Sequence, residues 1–184
     1  MFRCLKKFFQ KPEVSTKKSN NVILIGHSAT KKGARVIGYQ NEYKYNSKVG
    51  HIVKGLIPEI EVCFYNELEE DYVVISDPGF ISLELHCNAF NGYVKGSEVL
   101  IMRDDFVSKP YAEDFLEDLC ERFKKRNRGV KELDSDDLGY NNLKNVKKKG
   151  ARIAIIVEPF FGDAFTDVIS STEYAQFLVD WFNN

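Results

Sequence analysis

An α/β domain, built on a mostly parallel sheet with helices on both faces, is what this 184-residue sequence predicts. Two segments, residues 22–25 (VILI) and 153–157 (IAIIV), are apolar at every position. That pattern suits strands buried on both faces of a parallel sheet. Segments with strand and helix periodicity alternate along the chain, which is the signature of α/β architecture, and the length fits one domain.

The elements follow in order. Residues 1–20 carry six Lys/Arg against one Glu and read as a basic arm and linker ahead of a domain spanning 21–184. Phe2, Leu5, Phe8 and Phe9 fit one face of a short basic helix; a passive terminus and weak contact with an anionic surface are both open readings. The strand 22–25 ends at Gly26-His27. Asn41 caps a helix whose apolar stripe is Tyr45, Val49, Ile52, Val53 and Leu56, and Pro58 stops it. Residues 60–64 alternate like a strand, and the acidic stretch 66–79 ends in an Asp77-Pro78-Gly79 turn. Phe80 to His86 is a strand with Ile81, Leu83, Leu85 and Cys87 on one face, and Ser82, Glu84, His86 and Asn88 on the other. Ser97 to Met102 is another. A helix over about 108–126 carries a stripe of Ala112, Phe115, Leu116, Leu119, Cys120 and Phe123. Residues 127–150 are polar, contain Gly129, Gly139 and Gly150, and present no clear element. The strand 153–157 ends at Glu158-Pro159, and Ser170 with Glu173 forms a capping box for a last helix.

Composition excludes several classes. With 29% charged residues, net charge −1, 14 Phe and 9 Tyr, the chain is not broadly disordered. No apolar run approaches the roughly 20 residues a membrane span needs, and no apolar signal region is visible, which sets the expectation of a cytoplasmic protein. A pI near 6.3 gives no pull toward nucleic acid. Cys4, Cys63, Cys87 and Cys120 form no CxxC pair, so no structural zinc ribbon is expected, and small buried thiols of a reducing compartment are. The charge is unevenly spread: +5 over 1–20, +6 over 121–152 and −12 over the remainder.

Ligands of open α/β sheets bind beyond the carboxyl ends of the strands. His27, His86 and Glu158 each end a predicted strand, and Glu42 shares the apolar stripe of its helix, so it points inward at the first turn. A buried carboxylate without a partner is costly, and a cation would satisfy it. Two imidazoles and a carboxylate are a normal catalytic zinc set, and a second carboxylate such as Glu158 can serve as proton carrier. Blander readings stay open at this point: a satisfied polar histidine for His27 or His86, a helix-dipole acid bending to solvent for Glu42, an edge-strand acid for Glu158. His51 reads as a helix-flank residue, Asp104-Asp105 and Asp134/Asp136/Asp137 as loop charge without calcium-loop spacing, and Lys147-Lys148-Lys149 as a solvated turn.

Gly26-His27, the helix-opening Glu42, Ser82-Leu83-Glu84-Leu85-His86-Cys87-Asn88-Ala89 and Val157-Glu158 occur in that order, with 96–100 (GSEVL) after the second His and 128–131 (RGVK) before the last Glu. This ordered set, from about Asn21 to Asn184, resembles the zinc-dependent N-acetylmuramoyl-L-alanine amidases of the Amidase_3 type, and most closely their phage and prophage members, which share the wording of 86–92 and 157–163. The resemblance implies a phosphorylase/hydrolase-like amidase fold. It implies one zinc ion held by His27, Glu42 and His86, and Glu158 as the catalytic carboxylate. The implied reaction is hydrolysis of the amide between N-acetylmuramic acid and L-alanine in peptidoglycan. Asn88, two residues past His86, is the candidate for contact with substrate or with a ligand. The loop after His27 lacks the second Gly that often follows there, and the stretch between Glu42 and His86 is too short for an occluding inserted helix, so an open site is expected. A monomeric lysin that reaches the wall after the membrane is permeabilised completes the expectation. A zinc peptidase acting within the stem peptide and a non-catalytic wall-binding homologue are the competing readings.

Overall fold

The four residues of β1 (Val22–Ile25) are completely buried. The structure is a computed structural model, and it describes residues 21–66, 71–72 and 80–183. The basic arm, Cys4, most of the acidic stretch 66–79 and its Asp77-Pro78-Gly79 turn lie outside the described residues. After β1 come α1 (Glu42–Leu56), β2 (Glu61–Asn66), β3 (Asp71–Tyr72), β4 (Ile81–Leu85) and β5 (Ser97–Met102). Then follow α2 (Ser108–Phe123), β6 (Asn127–Leu133), α3 (Tyr140–Lys148), β7 (Ile153–Glu158) and α4 (Ser171–Asn183).

The strands form one sheet in the order β3-β2-β1-β4-β7-β5-β6. β2, β1, β4 and β7 run parallel as neighbours. β5 is antiparallel to β7, β6 is parallel to β5, and the two-residue β3 is antiparallel to β2. The alternation of side chains sorts the core into two layers. Ile23, Ile25, Leu83, Leu85, Ile155 and Val157 face α1, α2 and α4. Val22, Leu24, Ala154 and Ile156 face α3 through Leu143 and Val146. Helices thus cover both faces, as the doubly apolar strands predict.

Two elements in the polar stretch 127–150 were not expected. β6 is an edge strand whose residues are mostly half-buried or exposed, so its composition stays charged. α3 buries only Leu143 and Val146, and its N-terminal Gly139 offers no side-chain cap. Neither carries an apolar stripe strong enough to declare itself. Lys147, read as part of a solvated turn, instead closes α3 and pairs with Asp105 at 2.9 Å. The helix predicted to reach Arg126 stops at Phe123, where Lys124 turns into the left-handed region (φ 51°). Half of the Ser170–Glu173 capping box is present: the Glu173 amide donates to Ser170 Oγ at 3.2 Å, while the Glu173 carboxylate accepts from the Ser170 hydroxyl at 2.5 Å. Among the described residues no helix is long and apolar enough to cross a membrane.

Candidate metal and catalytic site

Because β1, β4 and β7 are parallel neighbours, the residues that end them emerge at one edge of the sheet. His27 follows β1, His86 follows β4 and Glu158 closes β7. The chain continues the ladder past the strands: the Gly26 amide donates to Leu85 O and the His86 amide to Val157 O, each at 3.0 Å. Glu158 is therefore on an interior strand between β4 and β5, and the edge-strand reading of this residue is corrected.

Glu42 arrives from the other side. Asn41 accepts from the Lys44 amide at 3.0 Å and so starts α1 there. One turn on, buried Asn46 donates from Nδ2 to Leu85 O at 2.9 Å, which ties the helix start to the end of β4. Glu42, only 2% exposed, thereby points between the two imidazoles. Its Oε2 lies 3.1 Å from His27 Nε2 and its Oε1 lies 3.0 Å from His86 Nδ1. Backbone amides complete the carboxylate: Ala34 N donates to Oε2 at 2.9 Å and Cys87 N to Oε1 at 2.8 Å. The solvent-bending alternative for Glu42 is excluded by this burial.

Glycine makes the close approach feasible at two positions. A Cβ on Gly26 would collide with the His86 ring, and one on Gly33 would collide with His27 and with the Glu42 carboxylate. Gly33 also sits in the left-handed region, φ 69°. His27 itself has φ 65°, an uncommon conformation for a residue with a Cβ and one that clusters at functional sites.

The charges of the cluster are mutually dependent. Burial alone would push the Glu42 carboxyl up, but hydrogen bonds to His27 and His86 outweigh it and hold it at about 2. Burial alone would push His86 down, but Glu42 and Glu84 outweigh it and raise the imidazole to about 10. Glu84, 1% exposed, receives His86 Nε2–H at 2.9 Å and Asn142 Nδ2–H at 2.8 Å. With Nε2 committed to Glu84, Nδ1 is the His86 atom left to face a cation.

The donor set fits a metal. One atom each from His27, Glu42 and His86 lies within 4.8 Å of the others. Two nitrogens and one oxygen so arranged suit zinc with an open fourth position. A carboxylate behind a ligating histidine is the usual way to fix its tautomer. His51 takes no part; its Nδ1 lies 2.6 Å from Ser47 O on the exposed flank of α1, as its position beside the stripe predicts.

His27, Glu42 and His86 line one cavity of about 440 Å³ with Glu158, Lys31, Tyr65 and Asn142. Burial, and the neighbouring Glu98, push the Glu158 carboxyl up to about 8. Asn88 reaches it: Nδ2 donates to Glu158 Oε2 at 2.7 Å. Sequence reasoning missed Glu84 and Glu98 as parts of the site. For Glu84 a signal existed, since period-two alternation puts it on the face of His86. Glu98 lies in the 96–100 wording that carries the resemblance, but its place opposite Glu158 depends on strand pairing.

No family model and no curated protein matches the sequence. Solved structures do. Cwp6 from Clostridium difficile is 20% identical at TM-score 0.63 over 89% of this chain, which spans 28% of the length of that protein. The catalytic domain of the CD27L endolysin targeting Clostridia difficile is 22% identical at TM-score 0.58, over 89% of this chain and 96% of that one. The catalytic domain of CwlV, an N-acetylmuramoyl-L-alanine amidase from Bacillus (Paenibacillus) polymyxa var. colistinus, is 15% identical at TM-score 0.58, over 89% and 98%. The chain therefore has the fold of the N-acetylmuramoyl-L-alanine amidase catalytic domains, the fold that its ordered His, Glu, His and Glu residues implied.

Proposed function

We propose that the protein is a zinc-dependent N-acetylmuramoyl-L-alanine amidase that hydrolyses the amide between the lactyl group of N-acetylmuramic acid and L-alanine of the stem peptide. The observation that carries this reading is the convergence of His27, Glu42 and His86 on one point, in the same cavity as an independently placed carboxylate, Glu158. His27 through Nε2, His86 through Nδ1 and Glu42 are the residues that would hold the ion. When bound there, zinc supplies Lewis-acid chemistry, polarising the scissile carbonyl and acidifying water.

The protein's own groups do the rest. Glu84 keeps the His86 ring oriented. Glu158, whose raised affinity for a proton brings it near neutrality, takes a proton from the attacking water as the new C–O bond forms. It returns that proton to the leaving L-alanine nitrogen as the C–N bond breaks, which is the work of a general base turned acid. The N–H groups of Asn88 are already given to carboxylates, so its contact with substrate would use Oδ1. The similar CD27L domain is an endolysin, and a lytic role is part of the proposal.

Digestion of purified sacculi followed by mass spectrometry tests this. The expected products are intact stem peptides with a free L-alanine amine, together with unmodified glycan. Stem peptides cut internally, or muropeptides that keep their stems, would refute it.

A further inference from the structure

The polar side chains behind Glu158 form a line that the chemistry above does not use. Besides Glu158, Asn88 Nδ2 donates to Glu98 Oε1 at 2.5 Å, while Asn88 Oδ1 accepts from the Ala89 amide at 2.8 Å. The Ala89 bond fixes which way the amide points, because turning it over would set a carbonyl oxygen against two carboxylates. Beyond it, Glu98 Oε2 accepts from Arg128 Nε at 2.8 Å. Arg128, Glu98, Asn88 and Glu158 are thus joined by consecutive hydrogen bonds.

The sheet is built to place them. Antiparallel pairing sets Glu98 directly opposite Glu158 on β7. Like charges directly opposite across strands are destabilising, and Glu98 is only 9% exposed, so an acid here costs stability that an apolar residue would not. On the other side of β5 the ladder is broken on purpose. Ser97 pairs with Asn127 but Val99 pairs with Val130, so β6 carries an extra residue at Arg128–Gly129. Gly129 takes φ 88°. Such a bulge re-aims the side chain beside it and is common next to active sites. Here that side chain is Arg128, which also packs over the Phe161 ring at 5.0 Å. Phe161 is in turn bridged to Asn88. An acid pair, a bulge and a half-buried cation converge on the back of one carboxylate.

We infer that Glu98 and Arg128 are positioning residues for Glu158, acting through the Asn88 amide to hold its carboxylate toward the cavity it shares with His27, Glu42 and His86. The inference rests on Glu158 being the proton carrier of the preceding section. It predicts a defect in turnover and not in substrate or metal binding.

Steady-state kinetics of the zinc-loaded full chain on a soluble N-acetylmuramoyl-peptide provides the test. Glu98→Gln and Arg128→Ala should each lower kcat by about 10- to 100-fold, with KM, bound zinc and the thermal unfolding midpoint near wild type. Arg128→Lys should restore most of the turnover, since an ammonium still reaches Glu98. Glu98→Gln changes one atom and keeps the shape, so it decides the matter if Arg128→Ala fails to fold. Wild-type kcat in the Glu98→Gln and Arg128→Ala variants, or a loss confined to KM, overturns the relay while leaving the amidase reading intact. A wild-type chain that does not cleave the lactyl–L-alanine bond overturns both.

Discussion

Glu158 is the residue on which chemistry and binding should separate. It lines the metal cavity but belongs to none of the three proposed ligands. Glu158→Gln should therefore keep stoichiometric zinc and lose about 10²- to 10⁴-fold in turnover, the range that general acid–base catalysis supplies. Elemental analysis beside a sacculus-release assay checks this, and substantial residual turnover would remove Glu158 from the proton-carrying role. The ligand cluster predicts a pH dependence for the metal-free protein. His86, raised from 6.5 to about 10, contributes stability that is complete below pH 6.5 and is lost as the pH rises toward 10. Glu42, lowered from 4.5 to about 2, contributes stability that is complete above pH 4.5 and is lost as the pH falls toward 2. The stabilisation of chelated wild type over Glu42→Gln should be largest between pH 4.5 and 6.5 and shrink by pH 9. Denaturant unfolding of both proteins in chelator measures it, and a difference that grows above pH 6.5 would contradict the assignment.

At the scale of elements, the segment after β7 is held to the start of β5 by one buried acid. Asp167, 2% exposed, accepts at Oδ2 from the Phe161 amide at 2.8 Å and the Gly96 amide at 3.1 Å. Its Oδ1 pairs with Lys125 Nζ at 3.1 Å, and Ser97 Oγ adds a bond to Pro159 O at 2.7 Å. These bonds set where Glu98 enters the sheet relative to Glu158. Asp167→Ala leaves two amides unpaired and takes the carboxylate from the Lys125 ammonium, which keeps only the backbone carbonyl of residue 167, so it should cost about 3–5 kcal/mol. Chemical denaturation reads the cost directly; a loss below about 1 kcal/mol would mean that the segment is held by its apolar contacts alone. Periodicity in the sequence identifies the elements with strong apolar stripes, and it fails for β6 and α3 for a physical reason. An edge strand and a nine-residue helix bury too little to need such a stripe.

Over the whole molecule, a net charge of −1 conceals basic regions of +5 at 1–20 and +6 at 121–152 against −12 elsewhere. Stem peptides carry carboxylates, so basic regions would favour attachment to the wall. Deleting residues 1–20 should weaken binding to sacculi chiefly at low ionic strength, where the screening length is about 30 Å at 0.01 M and not about 10 Å at 0.1 M. Co-sedimentation at both salt concentrations makes the comparison, and equal binding at low salt would make the segment a passive terminus.

Much of the site is legible in the sequence, because it hangs on strand ends. An apolar run such as 22–25 or 153–157 is a parallel strand almost by composition, and the residue that follows it must emerge at the ligand-binding edge. His27, His86 and Glu158 could be read in this way, and Glu42 from its place on a helix stripe. The convergence of those four residues was not legible, nor was the company they keep. Asn142 behind Glu84, and the Arg128–Glu98–Asn88 line behind Glu158, join residues 58, 30, 10 and 70 positions apart. Local sequence determines which residues end strands and which face a helix turns inward. Which strand lies beside which, in what register and with what bulge, depends on long-range pairing that no local period encodes, and that pairing decided which side chains meet.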